Sequence, residues 1–150
     1  MIRMSETDRK FLKFLWHSDR HNEEYRVMRM QRLSFGCKSL PFILNATIKH
    51  HIEKIENSNS KSFEMLNSAL YVNDLYFGGN NVGESFELST DAVSILKRGG
   101  FNLWKLRSNI RELEKLWRDS ELINGDVGGE PQLKVLGFNW NPEKDELSLE

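Results

Sequence analysis

Between Pro41 and Glu56, apolar side chains recur at Leu44, Ile48, Ile52 and Ile55, while Lys49, Glu53 and Glu56 fall on the opposite side. That spacing is the 3.6-residue period of a helix with one apolar stripe. Such a helix is held mainly by tertiary packing, so the rest of the chain must supply a cover for the stripe. Pro41 suits its first turn, where the missing N–H would be unpaired anyway. With 150 residues, 39% of them hydrophobic and 29% charged, there is material for one domain-sized core.

On either side of this helix the pattern changes. "RKFLKFLWH" (9–17) and "EYRVMRMQRLSFG" (24–36) read as two strands, the second half exposed. The polar "SDRHNE" between them makes 9–32 a hairpin. "ENSNSKS" (56–62) ends the helix, and a short segment, Phe63 to Ser68, leads into "ALYVNDLYFGG", two apolar stretches parted by Asn73-Asp74. A helix is predicted over 84–98, closed by Lys97-Arg98 and then Gly99-Gly100. "FNLWKL" (101–106) reads as a short strand. A further helix is expected at about 109–119, with Asn109 and Glu112 spaced as a capping box and Ile110, Leu113, Leu116 and Trp117 facing inward. After the loop "NGDVGGEPQ" (124–132), Leu136, Phe138 and Trp140 alternate, as do Leu147 and Leu149 across "NPEKDE", predicting a final hairpin. The order predicts an α+β chain, helices packed on one face of an antiparallel sheet. Residues 1–119 form the core unit, 120–132 a loop and 133–150 the C-terminal hairpin. Trp16, Trp104, Trp117 and Trp140 are expected mostly in the core.

Bulk chemistry narrows the function classes. No run approaches the apolar length that spans a bilayer, and the N-terminus lacks a secretory apolar core, so no membrane role is expected. The one cysteine, Cys37, rules out an internal disulfide and a Cys-rich zinc site within one chain; an intracellular setting, cytoplasmic or nuclear, is expected. Net charge is −1, but residues 1–54 hold 11 Lys/Arg against 6 Asp/Glu, and the remainder 10 against 16. A basic first third can track phosphates, or it can be an ordinary solvated surface. His17, His21, His50, His51 and Glu53 do not fall at spacings that would bring them onto one metal.

"LYVNDLY" (70–76) admits two readings. Asn and Asp tolerate positive φ, so Asn73-Asp74 can fill a hairpin turn with no chemical purpose. A functional reading of the same pair needs company elsewhere in the chain.

Four stretches bear on that choice: "RLSFGCKSLPFILNATIKHHIEK" (32–54), "YVNDL" (71–75), "GGFNLWKLRSN" (99–109) and "LGFNWNPEKDELSL" (136–149). In this order and spacing they resemble the palm of reverse transcriptases of Bel/Pao-type retrotransposons. That family runs from a Phe-Gly loop through Ser-x-Pro-Phe-x-x-Asn into a helix. A Tyr-x-Asp-Asp hairpin follows, then Gly-Phe-x-Leu-x-Lys-Trp-x-Ser-Asn, then Leu-Gly-x-x-Trp-Asn. The resemblance implies an α+β palm, incomplete and ending in a β-hairpin. It implies RNA-directed DNA polymerase descent, with an RNA/DNA primer-template, deoxynucleoside triphosphates and Mg2+ as partners. By the same resemblance, Phe35, Gly36, Pro41 and Asn45 match the nucleotide and template side, and Tyr71, Val72, Asn73 and Asp74 the catalytic hairpin. Lys105 matches a lysine near the triphosphate, and Gly137 and Trp140 the primer support. Two departures stand out. Asn73 occupies the place of a metal-binding aspartate, and Leu106 that of the family's tryptophan. The motif carrying the other essential aspartate, expected upstream of "MIRMSETDRKFLKFLW", is not represented, nor are the fingers and the rest of the polyprotein. The sequence therefore predicts a chain inactive as a polymerase, or a remnant that binds nucleic acid or protein without catalysis.

Overall fold

The computed structural model describes residues 2–17, 25–55, 60–72, 74–103, 105–123 and 133–149. The apolar stripe lies on helix α1, Leu40–Ile55, which buries Ile48 and Ile52. Its cover comes from two more helices, α2 (Lys61–Ala69) and α3 (Val82–Arg98). Ile48, Ile52, Met65, Leu66, Leu88, Ala92, Ile95 and Leu96 form one buried cluster, with Leu66 and Ala92 at zero exposure. Helix α4, Arg111–Asp119, adds Leu113 and Trp117. The Trp117 indole N–H donates to Ser89 Oγ at 2.8 Å, and Ser89 donates to the Phe86 carbonyl, so both buried polar groups are paired.

Strands β1 (Lys13–His17) and β2 (Tyr25–Arg29) pair antiparallel, as the 9–32 hairpin requires, although Arg9–Phe11 is a 3-10 turn. Strands β3 (Leu70–Tyr71) and β4 (Asp74–Leu75) form a second ribbon. Strands β5 (Leu133–Val135), β6 (Phe138–Asn141) and β7 (Glu146–Ser148) form a third sheet in sequence order. The class is α+β. The single sheet under a helical layer is not what forms: the described strands make three small separate sheets, because the apolar cover for α1 comes from other helices.

Other differences are local. The segment from Phe63 to Ser68 is the body of helix α2, started by Ser60, whose side chain accepts from the Phe63 N–H at 3.1 Å. Among the described residues of "FNLWKL" none is in a strand: Phe101 and Leu103 lie directly on the helical core, and Lys105 turns at φ +62°. Trp104, which falls in that stretch, lies outside the described residues. The capping box at Asn109 and Glu112 is replaced by Ser108, which accepts from the Ile110 N–H, and by Glu114, which accepts from the Ser108 N–H. Ile110 and Leu116 stay 40% and 36% exposed, so only Leu113 and Trp117 of the four face inward. Leu136 sits in the β5–β6 turn at φ +53°, not in a strand. Trp16 is exposed rather than core. The loop 124–132 lies outside the described residues.

The packing predicts where stability resides. Leu66→Ala should lower unfolding free energy by about 2–5 kcal/mol, because it opens a cavity at zero exposure. Leu147→Ala, on the exposed β7, should change it by less than about 0.5 kcal/mol. Urea denaturation followed by circular dichroism checks both.

Candidate functional site: the β3–β4 hairpin

Leu70 and Leu75 are partners across the hairpin, and both pack against the helical core, as do Ala69 and Phe77. This fixes the register, since a slip by one residue would turn the leucines to solvent. Tyr71 then lies opposite Asp74, so the chain reverses between them, with Val72 entering the turn. The turn is thus centred one residue earlier than Asn73-Asp74. Val72 takes φ +56°, a conformation that a β-branched residue rarely adopts. Asn73 lies outside the described residues.

At the tip, Tyr71 and Asp74 are exposed. The Tyr76 hydroxyl donates to Asp74 Oδ2 at 3.2 Å. Partial burial, then the Asp74 charge and this hydrogen bond, push the Tyr76 phenol above its ordinary range, so it stays a donor through neutral pH. A tyrosine–aspartate pair on a fixed ribbon can hold one cation or polar ligand group weakly. It presents one carboxylate.

The hairpin is anchored downstream by the start of α3. Asn81 caps that helix, accepting from the Glu84 N–H at 2.9 Å. Glu84 reaches back to accept from the Asn80 backbone N–H and side-chain amide, and from Lys61 Nζ at 2.9 Å. The Lys61 hydrogen bond first, then those from Asn80, hold the Glu84 carboxyl down to about 2. The same pairing raises Lys61. Gly79 belongs to this arrangement: a Cβ there would fall on the Ser85 side chain and come to 3.0 Å from the Ser85 backbone N, so the loop closes on α3 only with glycine. A shallow groove of about 460 Å³ opens here, lined by Lys61, Asn80, Asn81, Gly83, Glu84 and Glu87. Glu84 already occupies several of its donors.

The remaining sequence candidates are dispersed along the fold. Phe35, 85% exposed, and Gly36, at φ +90°, lie in the loop before α1. Pro41 and Asn45 are on α1. Lys105 follows α3, exposed and in the left-handed region. Gly137 makes the β5–β6 turn at φ +91°, and the Trp140 indole donates to Asp145 Oδ1 at 3.1 Å. That sheet meets the start of α4 through Arg111–Glu143 and Asn109–Asp145. Sequence reasoning missed Tyr76 and Glu84. The Asp-x-Tyr alternation at residues 74–76 and the Asn-x-x-Glu spacing at residues 81–84 were the available signals.

Two outcomes follow from this geometry. Val72→Asn, which tolerates positive φ, should raise stability by about 1 kcal/mol in urea denaturation, by relieving left-handed strain. Glu84 titrates below its ordinary 4.5, so its contribution is complete above that pH and is lost as pH falls from 4.5 through about 2. Glu84→Gln should flatten the stability–pH profile in that window, read from melting temperature against pH; an unchanged slope would refute the assignment.

No protein-family model, curated protein or solved structure matches this chain.

Proposed function

We propose that the chain is a palm unit of the RNA-directed DNA polymerase type, of the Bel/Pao retrotransposon kind its sequence resembles, and that it keeps the catalytic hairpin without the charge that catalysis requires. The observation that carries the proposal is the hairpin: Tyr71 and Asp74 face each other at its tip, a strained Val72 stands between them in the chain, and the leucines of its stem are set in the core. Backbone strain persists where surrounding structure over-determines it, and such places cluster at functional sites.

Nucleotidyl transfer of this class uses two Mg2+ ions about 3.5–4 Å apart, one at the attacking primer hydroxyl and one at the leaving phosphate. Mg2+ prefers carboxylate oxygens, and its charge offsets that of the triphosphate. The donor set here does not fit two ions. Asp74 supplies one carboxylate, Asn73 is a neutral amide by its chemistry, and no trio of His, Cys, Asp or Glu gathers among the described residues. In this reading Phe35, Gly36, Pro41, Asn45 and Lys105 are nucleotide-side residues, and Gly137 and Trp140 primer-side ones, all inherited in role from the resemblance.

The test uses the purified chain with a primed RNA template, deoxynucleoside triphosphates and Mg2+ or Mn2+. No extension is expected, and none from Asn73→Asp alone. Asn73→Asp should however create Mn2+ binding at the hairpin, seen by electron paramagnetic resonance, and adding Asp74→Asn should remove it. Extension by the unmodified chain would overturn the loss of catalysis. An Asn73→Asp chain that binds no more Mn2+ than its parent would leave the hairpin a plain turn.

A further inference from the structure

The two outer sheets each leave a strand edge open, and the two edges differ in charge. Met30, one residue past β2, donates its backbone N–H to the Leu12 carbonyl. Backbone groups alternate sides along a strand, so Arg26 and Met28 also spend theirs on β1, and Tyr25, Val27 and Arg29 turn theirs outward. That outer edge is already used further along: Leu33 donates to the Ile2 carbonyl, and Met4 to the Gln31 carbonyl. Over β2 itself the outer edge has no backbone partner among the described residues. In the C-terminal sheet, β7 pairs with β6 on one side, and its other side is equally open among the described residues. An open edge is a template for another strand.

Charge decides which strand. β2 carries Arg26 and Arg29 and no acidic residue; β7 carries Glu146 and no basic one, with Asp145 just before it. Arg26, Arg29 and Glu146 make no ion pair among the described residues. Pairing β2 with β2, or β7 with β7, crowds like charges, whereas pairing β2 with β7 brings opposite ones together.

An antiparallel register with Leu147 beside Val27 matches each face separately. On one face Leu149 comes beside Tyr25 and Asp145 beside Arg29, and an apolar row runs Leu15, Val27, Leu147, Trp140, Leu133 across five strands. On the other face Ser148 comes beside Arg26 and Glu146 beside Met28, so Arg26 and Glu146 are diagonal neighbours within reach of their long side chains. Leu15, Tyr25, Val27, Leu147 and Leu149, between 58% and 78% exposed in the single chain, gain cover on the first face.

We propose that β2 of one chain pairs edge to edge with β7 of a second copy, joining the N-terminal ribbon and the C-terminal sheet into one sheet between molecules. Each chain offers one edge of each kind, so the contact is head-to-tail: it closes as a reciprocal pair or continues along a row of copies. This goes beyond the polymerase reading and stands apart from the β3–β4 hairpin.

The test is sedimentation velocity of the purified chain over a concentration series reaching about 0.5 mM, because so short an edge contact is weak. Self-association that rises with concentration is expected. Arg26→Glu and Glu146→Arg should each weaken it about tenfold, by turning an attractive pair into a repulsive one. Mixing those two variants, or combining both changes in one chain, should restore it, because opposite charges meet again. Both side chains lie outside the buried core, so melting temperatures should match the parent and exclude misfolding as the cause. A parent chain that stays monomeric throughout, single variants that associate as well as the parent, or a mixture that fails to recover would each overturn the proposal.

Discussion

The rest of the molecule depends on one packing arrangement: α1, α2 and α3 closing on Leu66 and Ile52. None of these helices is stable through its own backbone bonds alone, because each presents an apolar stripe that water would meet. Once they close, the chain leaving α2 passes directly into β3, so Leu70 and Leu75 are drawn into the same core. That is how a ribbon with two residues per strand, too short to stand alone, acquires a fixed register. The conformation of Val72 is a consequence. The leucines set which residues must turn, and valine falls at a position better suited to glycine or asparagine.

Polar groups near the core are paired rather than avoided. Ser89 serves Trp117, Ser62 donates to Asp91 at 2.7 Å, and His51 Nε2 meets the Ile95 carbonyl at 2.8 Å near the end of α3. The Lys61–Glu84–Asn80 contacts do the same at its start, linking α2, the loop after the hairpin and the helix cap. Both ends of α3 are therefore held, and the hairpin between α2 and α3 inherits that order. The two outer sheets share little of it. They pack chiefly on themselves and keep apolar side chains exposed, and the strands of the N-terminal one carry Lys13, Arg26 and Arg29.

Much of this was legible because it is local. The stripe at Leu44, Ile48, Ile52 and Ile55 gave α1, and Lys97, Arg98 and the glycines beyond gave the end of α3. Helix α2 was not legible as a helix: its apolar residues are few, and its start depends on a single serine cap at Ser60. "FNLWKL" has strand composition, but Phe101 and Leu103 went to the helical core instead. At the hairpin, the residue types pointed to a turn, but not to which two residues make it.

The sequence by itself determined the α+β class, helices α1, α3 and α4, the presence of a hairpin near Asp74 and the basic character of the first third, because periodicity, stop signals and charge are properties of neighbours along the chain. Tertiary structure alone decided that helices rather than a sheet cover α1, that the strands separate into three small sheets, that Tyr76 joins Asp74, and that Val72 bears the strain of the turn. Those outcomes depend on which apolar surfaces meet in space, and burial is settled only when distant segments compete for the same core.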